Sequence, residues 1–388
     1  MTDDGPIPDD ADAESVGLVD RLEARIAQAL AASDAVAFVH AGTDHDPAVR
    51  YCRLAFEGDS TPERGRCHNV TAVAFDGDEW LSATVDPGSS HPAETVVGRL
   101  ADRLGPGTIL TPARLPHDAA LYLEGAGFDL ASTDALERAR ADKTDGEVAR
   151  IESAQTAAGA GIRRAATLLA DATFGDGRLA VGGEVVTPRR LRTAVDEAIV
   201  TAGAFPAGNT VVNPDPGHTP SSRDDTADEP LASGEPIVVA TAPRGPEGYH
   251  GGLVRTFVVD AEGGQERRVH VGVTQSLRSA AAMVTAGTES VTAVEGDLEA
   301  EVRAFGVDET DTVETTVAGV GLEPHERPLE GSDEIEPGSV VRVESAVHAD
   351  DVGWIRLAEL LVKGRGDDPG NYLEAPSRSL VPAAVLEE

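Results

Sequence analysis

Lysine is almost absent from this sequence. Only Lys143 and Lys363 occur among the 388 residues, so nearly all the basic residues are arginine, and the net charge is −36. Because phosphate groups are bound by basic surfaces, this balance argues against a nucleic-acid partner. Acidic residues spread along the whole chain, with so little lysine, are typical of a halophile's adaptation to molar intracellular salt. The alternative is an acidic surface that binds a basic protein.

Cysteines, aromatic residues and long apolar runs are also scarce. The only two cysteines, Cys52 and Cys67, cannot form a disulfide framework or a zinc-ribbon ligand set, so we expect reduced thiols. No stretch approaches the ~18 apolar residues of a membrane span, and the acidic N-terminus lacks the apolar run of a signal peptide. We therefore expect a soluble, cytoplasmic protein with no membrane partner. Aromatics are only 4%, but a hydrophobic content of 40% is enough for globular folding.

The length and the pattern of apolar residues predict two domains. Residues 1–14 are expected to be a disordered acidic tail, residues 15–140 an α/β domain with alternating strands and helices, and residues 141–388 a second domain. The Asp-, Ser- and Pro-rich stretch 215–234 is expected to be a surface loop. In the second domain the periodicity predicts a long helix from Asp145, further helices at 187–202, 268–285 and 291–305, and strands at 236–242, 252–259, 312–317, 339–347 and 354–361.

One stretch of the second domain, Val317–Pro328 (VAGVGLEPHERP), carries the most specific motif. Gly319 and Gly321 allow a backbone turn where a side chain would clash. The stretch resembles the G-H-G-I-G-L-E-x-H-E-x-P signature of the pita-bread metallopeptidase superfamily, which includes methionine aminopeptidase, aminopeptidase P, prolidase and creatinase. The resemblance implies an N-terminal creatinase-like α/β domain, then an α+β pita-bread domain with a curved antiparallel sheet. It also implies a homodimer, and Lys143 and Glu147 resemble the family's interdomain hinge.

The resemblance also implies a chemistry, hydrolysis by a water molecule that two divalent metals hold. Five side chains bind the metals in the family. Two are aspartates in V-D-x-G-x-x-x-x-G-Y-x-S-D-x-T-R-T-F, which resembles Val238–Phe257 here. A third is the histidine of the glycine motif, a fourth the glutamate of L-x-P-G-M-V-F-T-x-E-P, and the fifth the glutamate of I-R-I-E-D. In this chain the five positions hold, in that order, Thr241, Gly252, Ala318, Glu344 and Ala358.

Only Glu344 is retained among the five, and one carboxylate cannot hold two hard cations. We therefore expect no cofactor, and manganese would be required only if the ligand assignment is wrong. The expected function is a non-catalytic pseudo-peptidase, similar to Xaa-Pro aminopeptidases and prolidases, that binds a peptide or protein in the old cleft. His218, His325, Glu344, Arg356 and Tyr249 would line that cleft, either as vestigial catalytic and substrate-binding groups or as scaffold.

Alternatives to this reading remain open at the level of sequence. The chain could be an active hydrolase of Xaa-Pro peptides, or a metal-free enzyme resembling creatinase, in which His218 acts as acid and base and Glu344 assists it. A rebuilt mononuclear site would draw on four histidines: His218, His250, His325 and His348. His40 and His45, beside Asp44 and Asp46, are expected to lie in a solvated loop rather than in a metal site.

Overall fold

The computed structural model describes residues 10–43, 45–57, 69–85, 91–175, 177–213, 228–260, 263–329, 331–350, 352–366 and 368–387. The chain divides into two compact units, Met1–Gly146 and Glu147–Glu388. No helix in these ranges is long and apolar enough to cross a lipid bilayer.

The first unit is built around a five-stranded sheet with the order β3-β2-β1-β4-β5. Its strand β1 is antiparallel to β2 and parallel to β4, and β4 is parallel to β5. The elements in chain order are α1 (Asp10–Ser33), β1 (Ala35–Thr43), α2 (Pro47–Glu57), β2 (Val70–Phe75), β3 (Trp80–Val85), α3 (Pro92–Arg103), β4 (Thr108–Thr111), α4 (His117–Gly125), β5 (Asp129–Ser132) and α5 (Ala135–Ala141).

The acidic tail predicted at residues 1–14 stays a prediction for residues 1–9, which lie outside the described ranges, and α1 begins at Asp10. The expectation that His40 lies in a solvated loop is wrong. His40 is buried in β1 rather than solvated, and its Nε2 lies 3.2 Å from Asp46 Oδ1. The same carboxylate oxygen accepts the backbone N–H groups of Ala48 and Val49, so that Asp46 caps helix α2.

In the described ranges the second unit has four α-helices and one 3-10 helix, and its largest sheet has seven strands in antiparallel pairing, with the order β13-β15-β16-β11-β10-β9 and β17 beside β16. The elements are α6 (Asp145–Ala170), β6 (Thr173–Gly175), β7 (Arg178–Val181), β8 (Glu184–Val185), α7 (Pro188–Thr201), β9 (Val211–Val212), β10 (Pro236–Thr241), β11 (Leu253–Val258), α8 (Gln265–Ala286), β12 (Glu289–Ser290), α9 (Val291–Ala304), β13 (Thr312–Gly319), β14 (Glu334–Ile335), β15 (Val340–Ala349), β16 (Gly353–Val362), β17 (Asn371–Tyr372) and a 3-10 helix (Pro382–Val385).

The two faces of the large sheet have different roles. Alternate residues of a strand point to opposite faces, and the odd-numbered side chains of β15 and β16, such as Val343 and Leu357, pack against α8 and α9. In the same way α6 and α7 cover the odd-numbered residues of β10 and β11, among them Val239 and Phe257. The even-numbered residues therefore face away from the helices. Four of the five candidate ligand positions have even numbers, and Thr241 is the exception.

Candidate functional site

The strand register brings four of the five candidate ligand positions together on one face of the large sheet and places Thr241 at the end of β10, next to the strand that follows Gly252. Ala318 on β13 is paired with Arg342 on β15, and Glu344 on β15 with Ala358 on β16. Ala358 in turn is paired with Val254 on β11. Thr241 is paired with Leu253, the residue that follows Gly252. Since paired residues of neighbouring antiparallel strands are close together, sequence positions more than a hundred residues apart meet here.

The glycine motif forms the rim of this region. Gly319 ends β13, and the loop folds back so that Gly319 N–H donates to Pro328 O at 2.7 Å and Glu326 N–H donates to Gly319 O at 2.8 Å. A Cβ at Gly319 would lie 2.3 Å from Arg327 O, so this close backbone approach requires glycine. The folded-back loop places His325 beside β15, where Arg342 Nη1 donates to its Nε2 at 3.3 Å.

The retained carboxylate of Glu344 lies between two arginines. Arg356 donates to Glu344 Oε1 through Nε at 3.0 Å and through Nη2 at 2.5 Å. Arg342 Nη2 forms an ion pair with the other oxygen, Oε2. The side chain of Glu344 is only 7% exposed, and those of Arg342 and Arg356 are 13% and 9% exposed. We call these three residues the arginine–glutamate cluster.

The electrostatics of the cluster follow from these contacts. Burial alone would raise the pKa of Glu344, but the charges and hydrogen bonds of Arg342 and Arg356 hold that pKa below its usual value. Burial lowers the pKa of His325, and the charge of Arg342 lowers it further. Glu344 is therefore ionised and His325 neutral at pH 7, which leaves the cluster and His325 with one net positive charge.

The other candidate ligand positions have no charged side chain. The Thr241 hydroxyl lies 3.1 Å from the hydroxyl of Thr210. Gly252 N–H donates to Gln155 Oε1 at 2.8 Å. Ala358 is fully buried in a small apolar cluster with Val238 and Val254.

This donor set does not fit a pair of divalent metals. Such a centre needs several carboxylates to neutralise the two cations, whereas the five candidate ligand positions supply that of Glu344 alone, with both of its oxygens bound to guanidinium groups. No group of three or more His, Cys, Asp or Glu side chains in the described ranges is placed to hold a metal ion. In particular, His250, His325 and His348 do not form such a group. The three described histidines of the four-histidine alternative therefore do not make a metal site by themselves.

The remaining site residues predicted from the sequence have separate locations. Tyr249 is 1% exposed, and its hydroxyl donates to Glu147 Oε1 at 3.1 Å. His250 is buried, with Nδ1 3.3 Å from Ala242 O. His348 packs edge-on against Trp354, near the turn between β15 and β16. His218 lies outside the described residues. A role of Tyr249, His218 or Arg356 in substrate binding stays a prediction.

Arg342 is the residue of this site that the sequence reasoning missed. Aligning IEPGSVVRVES with L-x-P-G-M-V-F-T-x-E-P puts Arg342 at the threonine two residues before the glutamate. A strand places residues i and i+2 on the same face, so this substitution could have been identified from the sequence as a new cation beside Glu344.

The fold has close likenesses among solved structures. It matches the prolidase from Pyrococcus horikoshii OT3 with a TM-score of 0.70 and 16% identity, over 92% of this chain and 99% of that one. The X-Pro aminopeptidase from Thermotoga maritima MSB8 gives a TM-score of 0.68 and 16% identity, over 91% and 99%. The Xaa-Pro dipeptidase from Bacillus anthracis gives 0.68 and 14%, over 95% and 99%. The class of fold is thus that of prolidases and X-Pro aminopeptidases, which confirms the predicted architecture.

The sequence itself identifies the family. Residues 149–363, more than half of the chain, match the sequence model of metallopeptidase family M24, and the chain belongs to that family. The comparison with curated proteins gives no match. The superfamily predicted from the glycine motif is therefore confirmed.

Proposed function

We propose that this chain is a non-catalytic member of family M24 that binds a peptide or protein segment in the former active-site cleft. The observation that carries the proposal is the arginine–glutamate cluster at the candidate ligand positions. Here the one retained carboxylate is already neutralised by two guanidinium groups.

Charge and geometry both support the proposal. A divalent cation at Glu344 would have to displace Arg342 or Arg356 from its hydrogen bonds and would then lie beside two like charges. The second aspartate position is a glycine, and the bridging glutamate position is an alanine packed against valines. Neither position supplies an oxygen that could compensate for the lost arginine contacts.

The metal-free hydrolase is supported less well. A glutamate that assists a catalytic histidine must exchange or share a proton. Both oxygens of Glu344 accept hydrogen bonds from arginine, and its pKa is held low, so this carboxylate resists protonation. His218 lies outside the described residues, so this mechanism is left to experiment.

The first test combines metal content and hydrolysis. The purified full chain in molar KCl, with and without added manganese, would be analysed for bound metal and incubated with an Xaa-Pro dipeptide, with a prolidase as positive control. We expect far less than one metal ion per chain and no turnover. About two bound metals and manganese-dependent turnover would show that the ligand assignment is wrong.

The variant His218→Ala tests the remaining alternative, which is a metal-free hydrolase with a creatinase-like mechanism. Turnover without metal that is lost in His218→Ala would establish a creatinase-like mechanism and overturn the proposal. Metal-free turnover that is unchanged in the variant would point to a contaminating peptidase, which a second purification step would remove.

A further inference from the structure

An open groove on the exposed side of α8 is separate from the candidate site. Its volume of about 340 Å³ is within the range of about 300–1,000 Å³ that ligand pockets have. Helix α8 packs on the odd-numbered face of the large sheet, whereas four of the five candidate ligand positions lie on the other face. The groove, which we call the α8 groove, is lined by two glycines before α8, three residues of α8 and the residue after α9: Gly263, Gly264, Arg267, Arg268, Val271 and Phe305.

The apolar part of the α8 groove consists of two exposed side chains. Val271 is 41% exposed and Phe305 is 42% exposed. A Cβ added to Gly272 would lie 3.3 Å from Phe305 Cβ, so the absence of a side chain at Gly272 lets the end of α9 approach α8 closely. A single exposed apolar residue is ordinary, but two at one groove form a surface that a partner could bury.

The charged part of the α8 groove consists of Arg267 and Arg268. Both are exposed, and neither guanidinium group has a hydrogen bond or ion pair within the described ranges. They lie at the start of α8, where the helix dipole disfavours basic residues, so the helix does not gain stability from them. Glu266, the one acidic residue of α8, is engaged elsewhere, since its Oε1 accepts the Gly264 N–H at 2.9 Å. Two cations are thus available to an anionic partner.

The charge of α8 is opposite in sign to that of the chain as a whole. The helix has three arginines and one glutamate, hence a charge of +2, whereas the chain carries −36. The adjacent α9 has four acidic residues and one arginine, hence −3. Since the screening length is about 3 Å at 1 M salt, a short segment in the groove would interact mainly with the arginines. A nucleic acid or an anionic membrane would be large enough to contact acidic α9 as well.

We propose that the α8 groove is a docking site for a short acidic segment of a partner protein. An apolar side chain of that segment lies against Val271 and Phe305, and adjacent carboxylates bind Arg267 and Arg268. Val271 follows Arg267 by four residues, which places the apolar part about 5–6 Å beyond the charged part, so an apolar residue next to acidic residues reaches both. The inference goes beyond the proposed function, because the groove lies on the opposite side of the sheet from the former cleft.

Binding can be measured by ligand-observed NMR on the full chain in 1 M KCl. The probe is the peptide acetyl-Gly-Leu-Glu-Glu-Gly-amide. One control peptide has glutamine in place of both glutamates, and the other has serine in place of leucine. We expect saturable binding of the probe and about tenfold weaker binding of each control, because the first lacks two ion pairs and the second lacks the apolar contact.

Variants of exposed α8 residues assign the binding to the groove. The double variant Arg267→Gln/Arg268→Gln should weaken binding of the probe by about tenfold. Arg278→Gln is the matched control, since it removes an exposed arginine of the same helix about 15 Å away, and it should leave binding unchanged. Val271→Glu should abolish binding, because it puts a carboxylate beside Arg267, whereas Val271→Gln has the same size without the charge and should retain more of it.

These variants should all fold, because the positions are exposed and glutamine and glutamate are good helix formers, and thermal melting would verify this. Equal binding of the glutamate and glutamine peptides, equal effects of Val271→Glu and Val271→Gln, or an effect of Arg278→Gln as large as that of the double variant would each overturn the inference. Unchanged binding in the double variant would place the peptide elsewhere, the former cleft included, so that this inference fails and the proposed function stands. Manganese-dependent turnover would remove the proposed function without affecting binding at the α8 groove.

Discussion

At the scale of single residues, Glu344 is the one candidate ligand position that keeps a carboxylate, and two arginines bind it. A buried carboxylate without a counter-charge is costly, and it is maintained here because Arg342 and Arg356 neutralise it. Glu344, Arg356 and His325 were identified from the sequence because they match family positions. Arg342 was missed because attention to lost ligands does not reveal a gained cation. The contact of Arg342 with Glu344 follows from their two-residue spacing on β15, whereas the approach of Arg356 on β16 is set by strand register, which the sequence does not state.

Glu344→Gln should therefore destabilise the second unit strongly. The amide cannot neutralise two guanidinium groups that are 13% and 9% exposed, and breaking a buried ion pair costs about 3–5 kcal/mol. Chemical denaturation in molar KCl would measure the free energy of unfolding. Glu299→Gln is the matched control, because Glu299 is 55% exposed and lies 3.6 Å from Arg303, so its loss should cost at most about 1 kcal/mol. Equal effects of the two substitutions would contradict the structural role of Glu344.

The wild-type protein and Glu344→Gln should also differ in the pH dependence of their stability, and the sign of that difference can be predicted. The pKa of Glu344 is lowered in the folded protein from a value of 4.5, so its contribution to stability is complete above pH 4.5. That contribution is lost as the pH falls through the lower, folded-state pKa. We expect the difference in unfolding free energy between wild type and Glu344→Gln to be constant from pH 7 to 5 and to shrink below pH 4.5. A difference that grows on acidification would show that the Glu344 pKa is raised instead.

At the scale of elements, the regular parts of the fold were predictable. Helices α6 to α9 have apolar residues at helical spacing, and Thr187 and Ser290 cap α7 and α9 as their sequence positions suggest. Helix α2 was missed, although Asp46 and Pro47 are a cap and a first-turn proline, because the acidic and histidine residues before it resemble a solvated loop. The odd and even faces of β15 and β16 were not separable in advance, since both faces are largely buried.

Ala358 on β16 allows a test at this scale. Ala358→Glu restores the family residue, but it inserts a larger, charged side chain among Val238 and Val254 and should destabilise the protein by about 2 kcal/mol or more. Ala358→Gln has the same size without the charge, and the difference between the two isolates the electrostatic part. Manganese should not raise the melting temperature of either variant. A rise confined to Ala358→Glu would reveal a metal-binding site that the present geometry does not contain.

At the scale of the whole molecule, the distribution of lysine is informative. Both lysines are buried, Lys143 at 1% and Lys363 at 5% exposed. Their Nζ atoms donate to backbone carbonyls, that of Lys143 to Arg140 O and that of Lys363 to Gly287 O and Ile335 O. All other basic residues are arginines, so no lysine contributes to the surface. Lysine is thus retained only where a compact ammonium group has fixed acceptors, which supports salt adaptation as a property of the surface.

This surface should make stability depend on salt in a characteristic way. With a net charge of −36, self-repulsion opposes folding, and the screening length falls from about 10 Å at 0.1 M to about 3 Å at 1 M salt. We expect a gain on the order of 2 kcal/mol, a rise of roughly 4–8 °C in melting temperature, between 0.1 and 2 M KCl. Because screening saturates, most of the rise should occur below about 1 M. Sucrose at 0.1 M KCl is the control, since it stabilises through exclusion from the surface without screening charge. The contrary outcome is a melting temperature that is independent of KCl or that rises linearly up to 3 M. Either result would mean that screening of the acidic surface does not set the stability. The carboxylates would then be better explained by a basic protein partner.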